Sequence, residues 1–101
     1  MSHVVVRYRP TAEQADHNEA LVRDVFAELA DEQPYGLRYA TFRLEDGTFV
    51  HIAEIEGDNP LPRSAAFARF QEGIADRCEE GHTPDAQSAV LVSSYKLIAG
   101  R

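Results

Sequence analysis

Tryptophan is absent from this 101-residue chain, and cysteine and methionine occur once each. With Cys78 alone, no disulfide can form within the chain. No apolar run approaches the roughly 20 residues that a membrane-spanning helix needs. The start, Met1-Ser2-His3, lacks the basic-then-apolar layout of a secretory signal. Both absences point to a cytoplasmic protein with no membrane partner. Positive charge is scarce as well: 10 Lys and Arg face 17 Asp and Glu, for a net charge of −7, and Lys96 is the single lysine. Nucleic acids and anionic membranes attract proteins through clustered cations. No such cluster exists here, so neither is expected as a partner. The chain also lacks a glycine-rich dinucleotide fingerprint and a phosphate loop. His3, His17, His51 and His82 show no metal-ligand spacing. Cys78 falls in an apolar helical stripe with Arg77 as its only cationic neighbour, a poor setting for a nucleophile. Neither a metal nor an organic cofactor is therefore expected.

What is present reads as one domain over residues 1–101, long enough to bury one core without staples. Residues 3–9 are β-branched and aromatic, and Pro10 ends them: a first strand. Thr11 with Gln14 makes a capping-box pattern. Leu21, Val22, Val25, Phe26 and Leu29 then repeat at helical spacing, fading near residues 31–33 before Pro34. Residues 35–44 and 48–56 read as a hairpin about a two-residue Asp46-Gly47 turn. Ser64 caps a second helix carrying Phe67, Phe70, Ile74 and Cys78 on one face, with Gly73 inside it. There glycine makes way for an approaching backbone or a ligand. Residues 88–98 form the last strand. The order βαββαβ with right-handed crossovers predicts an α+β, ferredoxin-like fold: an antiparallel sheet ordered 4-1-3-2, with both helices on one face.

A two-residue turn sets Glu45 opposite Thr48. That register puts Phe42, Ala40, Phe49, His51 and Ala53 under the helices, and Tyr39, Leu37, Val50, Ile52 and Glu54 on the open face. An open face this apolar predicts a homodimer joined through Tyr39, Val50, Ile52 and Glu54; the alternative is a partly wet face, as antiparallel sheets allow.

The run Gly36-Leu-Arg-Tyr39-Ala-Thr-Phe42-Arg-Leu-x-Asp-Gly47-x-Phe49-Val-His51-Ile-x-Glu54, followed by Asn59-Pro60-Leu61 and Ala66-Phe67-x-x-Phe70-Gln71-x-Gly73-Ile74, resembles the antibiotic-biosynthesis monooxygenase-like domains of the dimeric α/β barrel superfamily. The similarity spans nearly the whole chain. It implies two face-to-face sheets closing a dimeric α/β barrel, with a pocket in each subunit between sheet and helices. Members include cofactor-independent oxygenases of polyketide phenols and haem-degrading enzymes. Both of those use a pocket tryptophan that this chain lacks.

Several residues could carry chemistry. His51, desolvated on the helix-facing side, would stay neutral and could take a proton from a phenol; a core histidine bonded to protein atoms is the plainer reading. Asn18 falls mid-stripe on the first helix. It could stabilise an enolate-like oxygen, or tie the helix to a neighbouring segment. Phe42, Phe67 and Phe70 would enclose an aromatic ring, with Gln71 at its edge. Two functions follow. One is a monooxygenase in which the substrate's own carbanion supplies electrons to oxygen, so that no cofactor is needed. The other is a non-catalytic dimeric binding or accessory module, with a filled core and no deep cavity beside His51.

Overall fold

A computed structural model of the protein describes residues 1–97. Strand β1 spans Ser2–Tyr8, helix α1 Ala15–Glu32, β2 Leu37–Arg43, β3 Phe49–Ile55, α2 Ala65–Gln71, α3 Ile74–Arg77 and β4 Asp85–Ala89. The strands form one antiparallel sheet in the order β2-β3-β1-β4, the expected ferredoxin-like topology read from its other edge. The helices pack on one face. Val22 and Val25 of α1 meet Tyr8, Phe49 and Phe70 there in the buried core.

Four local expectations need correction. The first concerns α1, which starts at Ala15 behind Gln14 without a side-chain cap; Thr11 instead closes a turn, its carbonyl accepting from the Gln14 amide at 3.0 Å. The second concerns the second helix, which is two short ones. Gly73 separates them in a left-handed conformation (φ 67°), and nothing lies within 4 Å of where a Cβ would sit. The glycine therefore serves the backbone reversal rather than a close approach. Ser64 does cap α2, accepting from the Phe67 amide at 3.0 Å while its hydroxyl donates to the Glu28 carboxylate.

The third correction sets the site. The β2–β3 connection is a three-residue loop, Glu45-Asp46-Gly47: the Leu44 amide donates to the Thr48 carbonyl at 2.7 Å and Arg43 stands opposite Phe49. The Asp46 carboxylate accepts from the Thr48 amide at 2.9 Å, and Gly47 takes the positive φ of 90° that closes such a loop. This register differs by one residue from that of a two-residue turn, and one residue reverses every side chain of β2. Leu37, Tyr39, Thr41 and Arg43 consequently share the helix-facing side with Phe49, His51 and Ala53. Ala40 and Phe42 lie with Val50 and Ile52 on the open face, where Phe42 is 43% exposed.

The fourth concerns β4, which covers residues 85–89 rather than 88–98. Ala89 already stands opposite His3, beside the start of β1, so the residues after it run past the strand they would pair with. Val90, Leu91, Val92, Tyr95 and Leu97 are exposed on this extension; Ile98 lies outside the described residues.

Candidate functional site

Three elements converge beneath α1: β1 brings Tyr8, β3 brings His51, and β2 brings Tyr39 and Thr41. Alternation along each strand directs all four side chains to the helix-facing side. His51 is 4% exposed, and its imidazole is engaged at both nitrogens. Nε2 lies 2.7 Å from the Tyr8 hydroxyl; Nδ1 lies 2.7 Å from the Tyr39 hydroxyl and 3.0 Å from Thr41 Oγ1. Burial pushes the His51 pKa down to about 4, so the ring is neutral near pH 7. Burial also raises the pKa values of Tyr8 and Tyr39, keeping both as neutral phenols.

Behind Tyr8 stands a buried polar network. Asn18, fully buried on α1, donates through Nδ2 to the Tyr8 hydroxyl at 2.9 Å. Its Oδ1 accepts from Arg77 Nε at 3.3 Å and Nη2 at 3.1 Å. Arg77, 8% exposed at the end of α3, also donates to the Phe70 carbonyl at 2.7 Å and to the Glu72 carbonyl at 2.8 Å. Among the described residues no carboxylate pairs with it. Its partners are neutral dipoles, so its full positive charge persists inside the fold.

His51 opens on a small cavity of about 160 Å³ between the sheet and α2–α3, walled by Tyr8, Tyr39, Phe67, Phe70 and Gln71. The His51 and Phe70 rings stand 5.3 Å apart, and Phe67 and Phe70 stand 5.9 Å apart. Tyr39 has a second side. Its ring stacks on Phe26 at 5.0 Å, and with Thr41 it also lines an open groove of about 690 Å³ between α1 and the β2 edge.

Of the residues expected at a site, His51, Phe67, Phe70 and Gln71 line this cavity. Asn18 lies one hydrogen bond behind it. Phe42 does not belong: the three-residue loop turns it to the open face. Tyr39, expected on the open face, sits instead against His51. Arg77 and Thr41 were not among the expected residues. Arg77 does share helical spacing with Phe70 and Ile74, and a cation on that apolar stripe is the signal that could have marked it. Among the described residues no group of three or more His, Cys, Asp or Glu is placed to hold a metal ion, and no helix is long and apolar enough to cross a membrane.

No family model and no curated protein matches the sequence. The fold has clear counterparts among solved structures. An antibiotic biosynthesis monooxygenase superposes with a TM-score of 0.67 at 24% identity, over 90% of this chain and all of the other. The chain has the fold of the antibiotic-biosynthesis monooxygenase-like proteins. SnoaB of Streptomyces nogalater, a cofactor-independent oxygenase, shares this fold with a TM-score of 0.64 and 16% identity over 92% of this chain and 94% of its own. So does a dimeric ferredoxin-like protein of unknown function from Jannaschia, with a TM-score of 0.65 and 13% identity over 89% and 98% of the two chains. The monooxygenase-like fold and the buried Tyr–His–Tyr array occur together in this chain.

Proposed function

We propose that this protein is a cytoplasmic homodimer whose subunits oxygenate a small aromatic or enolisable compound without a cofactor, in the cavity beside His51. One observation carries the reading: a neutral imidazole, held between two tyrosine hydroxyls at 2.7 Å, forms part of the wall of an aromatic-lined cavity. The oxygenases that share the fold make this chemistry a natural candidate. The substrate loses a proton to become a carbanion, which reduces dioxygen directly. One oxygen atom enters the substrate as a carbonyl and the other leaves as water with the two hydrogens of the oxidised CH₂ group. A neutral imidazole is the side-chain base suited to that first step near neutral pH. His51 meets the cavity through its ring and acts by way of the tyrosine hydroxyls. Asn18 positions Tyr8, and Phe67, Phe70 and Gln71 enclose the ligand.

The dimer is proposed through the open sheet face, where Phe42, Val50, Ile52 and Ala40 form an apolar surface beside Glu54. Glu54 is itself held by His3 at 3.2 Å and Arg38 at 3.7 Å. Phe42 takes the place there that Tyr39 vacates.

Oxygen uptake with hydroxylated one- and two-ring phenols tests the catalytic reading. The His51→Gln variant, checked for native-like folding by circular dichroism, is expected to lose at least tenfold in rate. Equal rates would remove His51 from the chemistry. A second reading, a binding module without turnover, is favoured by the engagement of both His51 nitrogens and by a cavity that fits only about one ring. Saturable ligand binding with no oxygen consumption would decide for it.

A further inference from the structure

The hydrogen bonds around His51 have a direction, and the direction is imposed at Arg77. A guanidinium can only donate, so the Asn18 oxygen faces Arg77 and its NH₂ faces Tyr8. The Tyr8 hydroxyl accepts that bond and gives its own hydrogen to His51 Nε2 at 2.7 Å. A neutral imidazole that accepts at Nε2 carries its hydrogen on Nδ1, which donates to the Tyr39 hydroxyl at 2.7 Å. Tyr39 is in turn hydrogen-bonded to Thr41. With Tyr39 donating in that bond, a single hydrogen is left over, that of Thr41 itself. Its position matters. Tyr8 and His51 line the cavity, Thr41 lines the open α1–β2 groove and not the cavity, and Tyr39 lines both. The array therefore crosses the wall between two spaces, and its last hydrogen points out to solvent.

We infer that Tyr8, His51, Tyr39 and Thr41 form a proton relay that joins the cavity to the α1–β2 groove. Imidazole and hydroxyl groups suit such a relay because each accepts one hydrogen while giving up another. A proton arriving from the cavity bonds to the Tyr8 oxygen as Tyr8 releases its hydrogen to Nε2. Nδ1 then releases its hydrogen to Tyr39, Tyr39 to Thr41, and Thr41 to water in the groove. One O–H bond forms at Tyr8, one breaks at Thr41, and no oxidant or reductant takes part. Burial disfavours both the imidazolium and the phenolates, so the transfers are concerted and no member holds a charge between them. The inference rests on the proposed oxygenation for the source of the proton. That reaction takes a proton from the substrate and later returns one to the departing water. The relay runs outward in the first step and back in the last, which restores its starting orientation. Arg77, a buried cation behind the cavity end, favours the outward direction. Glu19 stands in the groove but accepts from Arg43 at 2.8 Å and Arg23 at 2.9 Å, so solvent receives the proton.

The test needs no substrate. Nitrogen-15 chemical shifts of His51 report which ring nitrogen carries the hydrogen; Nδ1–H is expected, and Nε2–H would overturn the orientation. Exchange of that ring hydrogen with water, followed by NMR, reads the groove end. Without a relay the buried ring hydrogen would be protected like the backbone amides of β3; with one it exchanges faster than they do. Thr41→Val removes the outer hydroxyl and is expected to slow the exchange by about tenfold or more. Thr41→Ser keeps a hydroxyl and is expected to exchange at the native rate. Equal rates in the native protein and Thr41→Val, or a native ring hydrogen as protected as the β3 amides, would overturn the relay. Tyr8→Phe cuts the cavity end. With no donor facing Nε2, the Nε2–H form is expected to appear, and an unchanged tautomer would remove the cavity from the route. Oxygen uptake is a separate measurement, so a working relay in a protein that consumes no oxygen would overturn the catalytic reading alone.

Discussion

At the scale of single residues, His51 couples the interior to pH. Its pKa is about 4 in the folded chain because burial disfavours the imidazolium, against roughly 6.5 when unfolded. Between those values the unfolded state binds the extra proton, so the associated stability is complete above pH 6.5 and is lost as pH falls toward 4. The expected loss between pH 7 and pH 5 is about 2 kcal/mol, measurable by urea unfolding at the two pH values. The lowered carboxyl pKa values of Glu19, Glu28 and Asp46 act at lower pH and leave this window to His51. In His51→Gln the slope is expected to flatten; an unchanged slope would place the titration elsewhere. His51 was recognisable in the sequence as a histidine on an apolar strand face. Its partners were not. A hydrogen bond between residues 43 positions apart depends on strand register, which no local pattern of side chains reveals.

At the scale of elements, strand and helix identity were legible because each carries its own period. Val4, Val6 and Tyr8 alternate, and Leu21, Val22, Val25 and Leu29 recur at 3.6. Loop geometry was much less so. Asp46-Gly47 announces a hairpin, yet the choice between two and three loop residues rests on whether Glu45 pairs or turns, and its own chemistry suits either. That single choice reverses Tyr39 and Phe42. The last strand misled for another reason: Val90, Leu91 and Val92 have strand propensity but, among the described residues, no strand opposite them. Gly73 shows the same limit on a shorter scale, since an amphipathic stripe from Phe67 to Cys78 runs through a point where the backbone reverses. Replacing it in Gly73→Ala is expected to cost about 1–2 kcal/mol, the strain of a left-handed non-glycine residue, with the cavity lining unchanged. Thermal unfolding of the variant checks this, and a stabilised protein would mean that the two short helices merge.

At the scale of the whole molecule, two apolar surfaces lack cover: the open sheet face and the extension after Ala89. Both are expected to meet a second copy. Replacing Ile52 with aspartate puts an unpaired charge at the centre of the proposed contact. Sedimentation at micromolar concentration should then change from two chains per particle to one. A native protein that already sediments as a single chain would end the dimer, and an unchanged dimer in Ile52→Asp would move it to another surface. The sheet topology supports the fold directly, whereas the proposed interface is argued from the exposure of its apolar residues.

The length of the tip joining β2 and β3 also bears on how relatives may be compared. At identities near one quarter or below, matching amino acids column by column transfers interior positions only between chains whose tips have equal length. A relative one residue shorter or longer at Glu45-Asp46-Gly47 would carry its tyrosine outside and its phenylalanine inside, however well the letters aligned. Counting that loop is therefore the first step in deciding which of its neighbours shares this protein's chemistry.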